Sequence, residues 1–198
     1  MKRLLVIVWL IILSFSVGAL FWYNEWIYHL PTPIPADYKP VAQETPIKLK
    51  WPDGSNPNKP LFLHFFNPDC PCSRFNVVTF RSLVREYGGQ INFAVVVMNT
   101  KRYRAEEIQK KLDLKLPVLF DQSVAAACGV YSTPQAVLID TGHKLYYRGN
   151  YNRSRYCTDE QTNYARMAIK GLLNDHTHLS FDRLALRSYG CSLPNCKK

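Results

Sequence analysis

The sequence has little acid to set against its base: 15 Asp and Glu face 25 Lys and Arg, a formal net charge of +10. It nevertheless lacks a long basic run. Its Lys and Arg are scattered, so the contiguous footprint of a nucleic-acid binder is missing and a basic, soluble surface is expected. No internal repeat is visible. The spaced cysteine pairs of a zinc finger are also missing, because Cys70-Pro71-Cys72 has no second pair nearby. Charge is absent altogether from residues 4–23.

That uncharged run has about the 20 apolar residues needed to cross a bilayer. Lys2 and Arg3 precede it, and Phe21, Trp22, Tyr23 and Trp26 cluster at its far end like an interfacial aromatic belt. The expected topology is a single span, Lys2 and Arg3 in the cytoplasm and the rest on the periplasmic or extracytoplasmic side of the cell (inner) membrane. The competing reading is a signal peptide cleaved near Val17-Gly18-Ala19. The length of the run, which continues past that site, favours the anchor.

With 198 residues, nearly half of them apolar, the chain can build one domain plus appendages. Residues 1–29 read as the anchor. Residues 30–58 hold most of the eight prolines found between positions 30 and 60 and read as a stiff, extended linker, with 47–51 a short edge strand. Residues 59–173 read as the domain. Within it the pattern predicts a strand at 61–66 and a helix at 74–87 with Phe75, Val78, Val84 and Tyr87 inward. A central strand at 91–98, a helix at 104–112, a strand at 116–120 and a short helix at 122–128 follow. A hairpin of 136–140 with 144–148 and a last helix opened by Thr158 and Gln161 complete it. Alternation followed by a hairpin implies an α/β fold, a mixed sheet with helices on both faces. Residues 174–198 read as a tail.

Six cysteines stand at positions 70, 72, 128, 157, 191 and 196. Cys70 ends the first strand and opens the first helix, where free N–H groups and the helix dipole favour a thiolate. Cys128 reads as a small buried hydrophobe. Cys157 lies in an Arg-rich loop that could lower its pKa, or is a plain loop cysteine. Cys191 and Cys196 flank a Ser-Leu-Pro-Asn turn and are candidates for a structural disulfide.

The element order and two motifs resemble the thioredoxin-like superfamily, and most closely its membrane-anchored, extracytoplasmic thioredoxin-like and peroxiredoxin-like branch. Residues 61–70 are similar to the family's strand leading to its reactive cysteine. Residues 128–140 are similar to its Gly-Val-x-x-Thr-Pro segment and the strand that follows, and Tyr147-Arg148-Gly149 to the end of its hairpin. The resemblance spans residues 59–173 and implies a thioredoxin-like fold. It implies a cis bond before Pro134 that frees the Thr133 backbone for an extended substrate, with Pro71, Ser73, Thr133 and Pro134 facing that substrate. It implies thiol–disulfide exchange on protein disulfides, an unidentified redox partner, and no cofactor or resident metal.

The departures are equally specific. Ser73 stands where the family's second cysteine should be, and Cys72 is an extra thiol. Leu63 and Asn67 replace the Pro and Thr of the peroxidase pattern, which argues against peroxide chemistry. Cys70 is therefore expected to attack and Cys72 to resolve, through a small strained ring that suits an oxidising or isomerising role. His64, six residues before Cys70, is either a proton carrier or a strand histidine satisfied locally. Two rival readings remain: a catalytically silent interaction domain, and a copper-binding module using Cys70 and Cys72, with His143 as the histidine of the late hairpin.

Overall fold

The computed structural model describes residues 2–153, 159–174 and 180–193. The chain divides into two units, residues 1–30 and 31–198. The first is a helix, α1 (Lys2–His29). Its segment Lys2–Asn24 is long and apolar enough to cross a membrane, and none of it is buried within the protein. At 1.5 Å per residue that segment spans about 35 Å, against roughly 30 Å of hydrocarbon. Two of its polar side chains turn back on the helix: Ser16 Oγ donates to the Ile12 carbonyl at 2.9 Å and Asn24 Nδ2 to the Leu20 carbonyl at 3.0 Å.

The second unit is built on β1 (Leu61–Phe66), whose six residues are all buried. It is followed by α2 (Pro71–Tyr87), β2 (Asn92–Val97), α3 (Ala105–Leu112), β3 (Val118–Leu119), α4 (Ser123–Cys128), β4 (Ser132–Thr133), β5 (Gln135–Ile139) and β6 (Leu145–Gly149). A 3-10 turn (Glu160–Thr162), α5 (Tyr164–Leu173), α6 (Arg183–Leu186) and β7 (Cys191–Ser192) complete it. The main sheet has the order β3-β2-β1-β5-β6. β1 runs parallel to β2 and antiparallel to β5. This is the expected mixed α/β sheet, and the domain has the thioredoxin-like fold. β4 and β7 form a separate antiparallel pair.

Strand alternation sends the β1 side chains into two cores. Phe62 and Phe66 join Phe80, Leu83, Val95, Leu138 and the α5 residues Ala165, Ala168 and Ile169 on one face. Leu61, Leu63 and Phe65 join Ile47, Val96, Val124 and Val137 on the other. Truncating a side chain such as Leu83 here would cost roughly 2–5 kcal/mol.

Four expectations need correction. α2 starts at Pro71, and its buried stripe is Cys72, Ser73, Asn76, Thr79, Phe80, Leu83 and Tyr87. Phe75 and Val78 are exposed, because the helix is rotated so that polar residues near its start serve the loop before it. Residues 31–58 are not a free spacer: Thr32 and Ile47 are buried, and Ile47 N–H donates to the His143 carbonyl at 2.8 Å. The 47–51 strand reduces to an isolated bridge at Pro46–Lys144. Residues 180–193 of the tail pack into the domain, with Ala185, Ser188 and Cys191 buried.

His64 lies inside the core. It is fully buried, Tyr151 Oη lies 2.7 Å from its Nδ1, and its ring stacks on Phe80 at 4.4 Å. Burial pushes its pKa from 6.5 down to about 3, so the ring is neutral at physiological pH. Its local partner is the Tyr151 side chain. The unfolded chain takes up this proton below about pH 6.5, whereas the folded protein does not until about pH 3. The group's stabilising contribution is therefore full above pH 6.5 and falls on acidification, by up to about 1.4 kcal/mol per pH unit. Denaturation of the full-length chain in detergent at pH 7, 6 and 5 should show this component, and a His64→Gln variant should lose it.

Candidate functional site

β1 ends in a loop that is held from several sides. The Cys70 N–H donates to the Asn67 carbonyl, and the Ser73 N–H to the Cys70 carbonyl, each at 3.1 Å. The Asn67 amide oxygen accepts from the Asp69 N–H at 3.0 Å and from Asn99 Nδ2 at 2.7 Å. Asp69 accepts from the Tyr103 hydroxyl at 2.7 Å and pairs with Lys101 Nζ at 2.9 Å. The Tyr103 and Lys101 hydrogen bonds hold its carboxyl down to about 2. Asp69 therefore stays ionised and ties the residue before Cys70 to the loop after β2. Sequence reasoning missed this bracing; the local signal was Asn67 and Asp69, both common loop-forming residues.

Cys70 occupies the N-cap of α2, with extended backbone and no side-chain cap. Its neighbours divide by exposure. Pro71 is exposed. Ser73, expected to face a substrate, is fully buried, and its Oγ accepts the Asn67 N–H at 3.3 Å. Ser73 thus braces the loop.

The cis bond is present at Thr133-Pro134. Thr133 is not open to solvent, however. β7 lies antiparallel to β4, with Thr133 opposite Cys191 and Ser132 opposite Ser192. The pairing extends to Leu193, whose N–H donates to the Tyr131 carbonyl at 3.3 Å. Cys191 is thereby laid against Cys70, and the two form a disulfide with Cα atoms 6.7 Å apart. This overturns both expected pairings. Cys191 is joined to Cys70, not to Cys196, which, like Cys157, lies outside the described residues. Cys72 is not in a disulfide, so the argument from a strained ring lapses.

Cys72 is still near. Its sulfur and those of Cys70 and Cys191 all lie within 4.8 Å of one another, and all three residues are buried. Among the described residues this is the group of donors that could hold a metal ion. His143 does not contribute: it sits in the β5–β6 turn against Trp51, ring centroids 4.7 Å apart. Cys128 is a separate case, fully buried in the second core, with desolvation pushing its thiol up to about 12.

Non-reducing peptide mapping of the full-length protein should recover the Cys70 and Cys191 peptides joined. A thiol-alkylating reagent should leave Cys128 unmodified until the protein is denatured.

The chain resembles two solved structures over most of its length. One is a hypothetical protein from Sinorhizobium meliloti, 21% identical, with TM-score 0.63, covering 79% of this chain and 96% of that one. The other is an uncharacterized conserved protein from Geobacillus kaustophilus, 19% identical, with TM-score 0.61, covering 82% and 97%. A thioredoxin-family thiol:disulfide interchange protein from Chlorobium tepidum is more distant, at 14% identity and TM-score 0.47, covering 71% and 99%. No curated protein sequence matches. Residues 39–192, which include β4, β7 and all three clustered thiols, match one family throughout. The chain belongs to that family, described as a domain of unknown function, DUF6436.

Proposed function

We propose that this protein is a membrane-anchored, extracytoplasmic thiol–disulfide oxidoreductase acting on protein disulfides, with Cys70 and Cys191 as its redox couple. The observation that carries this reading is the Cys70–Cys191 disulfide at the N-terminus of α2, beside the Thr133-Pro134 bond. A thiolate at Cys70 is favoured by the dipole of the 17-residue helix it caps. In the reduced protein Cys70 Sγ attacks a substrate disulfide. One S–S bond breaks, a mixed disulfide forms, and the departing thiolate is protonated by solvent. Cys191 then attacks Cys70 Sγ and releases the second substrate sulfur. Two electrons have passed to the substrate, and an external thiol reductant returns the couple to its starting state. The same steps run backwards oxidise a substrate dithiol.

This reading assigns resolution to Cys191 in place of Cys72. Cys70→Ser should abolish reduction of a model protein disulfide. Cys191→Ser should attack but accumulate the mixed disulfide, whereas Cys72→Ser should still turn over. Normal turnover by Cys191→Ser would sink the assignment.

The anchor is supported by the apolar Lys2–Asn24 segment and by Lys2 and Arg3 before it. Alkaline carbonate should leave the full-length protein in the membrane pellet, with its Met1-proximal sequence intact and the domain accessible to protease only from the extracytoplasmic side.

A second reading is favoured by the three buried sulfurs within 4.8 Å. Once reduced, three thiolates suit a soft cation such as Cu(I). Copper analysis of the reduced and oxidised protein separates the two: binding by the reduced protein without exchange activity would favour the metal module.

A further inference from the structure

The tail reaches Cys70 along a defined route. Asn150 Nδ2 donates to the carbonyls of Leu184 and Arg187, both at 2.7 Å, fixing α6 against the end of β6. Ser188 is buried against the Gln135 side chain and its carbonyl accepts the Thr32 N–H at 2.9 Å. Gly190 then passes directly over the Thr133-Pro134 bond. Its φ is +134°, and a Cβ there would collide with the Thr133 carbonyl oxygen and lie 2.9 Å from the Thr133 carbonyl carbon. Only glycine fits both the backbone angle and the space. Cys191 follows at once, paired with Thr133 and bonded to Cys70.

An extended chain with a cysteine disulfide-bonded to Cys70 and its backbone paired to Thr133 has the form of a substrate caught in mid-exchange. Here the chain is the protein's own. We infer that residues 188–193 are a tethered occupant of the substrate edge, displaced by an extended, cysteine-bearing polypeptide and returning to expel it. This inference rests on the proposed exchange chemistry. The physical reason for exclusion is that one strand edge pairs with one strand at a time. Resolution by Cys191 therefore does two things in one motion. It breaks the Cys70–substrate bond while forming Cys70–Cys191, and it reoccupies the hydrogen-bonding edge of β4. The same geometry sets a preference: a substrate docking as the tail does carries glycine immediately before its reacting cysteine.

The test uses the reduced full-length protein and a synthetic peptide of residues 188–193 whose cysteine is blocked as a mixed disulfide with thionitrobenzoate. Cys70 attacks the peptide sulfur and releases the coloured thiol, and mass spectrometry follows the Cys70–peptide adduct. The same peptide carrying Gly190→Val should react roughly tenfold or more slowly, the size expected of a backbone collision. In the protein, Gly190→Val keeps every thiol but keeps the tail off the edge, so its adduct should outlive that of the unsubstituted protein by a similar factor. Cys191→Ser should behave likewise. Equal rates for the two peptides, or unsubstituted-protein adduct lifetimes in both variants, overturn the inference while leaving Cys70 chemistry standing. Absence of any Cys70 adduct overturns both. Should Gly190→Val fail to fold, the peptide comparison and Cys191→Ser still decide.

Discussion

The antiparallel pairing of Cys191 with Thr133 is the interaction on which the site depends. It brings a residue 121 positions away in sequence onto the sulfur of Cys70. Everything around it is arranged to make that short pairing possible. β1, buried on both faces, delivers Cys70 to a fixed point. The cis bond at Thr133-Pro134 presents the Thr133 backbone beside it. Gly190 lets the tail lie flat against that backbone, where any side chain would hold it off.

The cysteines show how local surroundings set the chemistry of one side chain. Cys128 sits among aliphatic residues, where burial raises its thiol to about 12 and leaves it a packing group. Cys70 is equally buried, but it caps a helix whose dipole favours negative charge. Asp69 does not cancel that advantage, because Lys101 and Tyr103 take up its charge on the outer side of the loop. His64 makes the same point: a titratable ring becomes a neutral core group once Phe80 and Tyr151 enclose it.

The N-terminal helix obeys different rules. Its composition alone gives it length and apolarity, since a helix closes its backbone hydrogen bonds within itself. The domain cannot be read that way, because its site is assembled from segments far apart in the chain.

Features that are local and periodic can be read from adjacent residues. The strands expected at 61–66 and 91–98, the order of the helices through α5 and the Cys70 N-cap were legible, because each is encoded in a handful of adjacent residues; the Thr133-Pro134 segment was legible through its resemblance to the thioredoxin-like family. Tertiary structure alone decided the partners. Nothing within a few residues of Cys191 distinguishes Cys196 from Cys70; the choice is made by a tail held by Asn150, Ser188 and Thr32 across long separations. The rotation of α2 was hidden for the same reason, since Ser73 and Asn76 are drawn inward by backbone groups of the site loop and the helix's own start, while hydrophobic periodicity registers only apolar demand. The proline-rich segment at 31–58 read as a spacer because proline stiffens a chain wherever it lies; whether such a chain stands off or packs down depends on the edge it meets, here the β5–β6 hairpin.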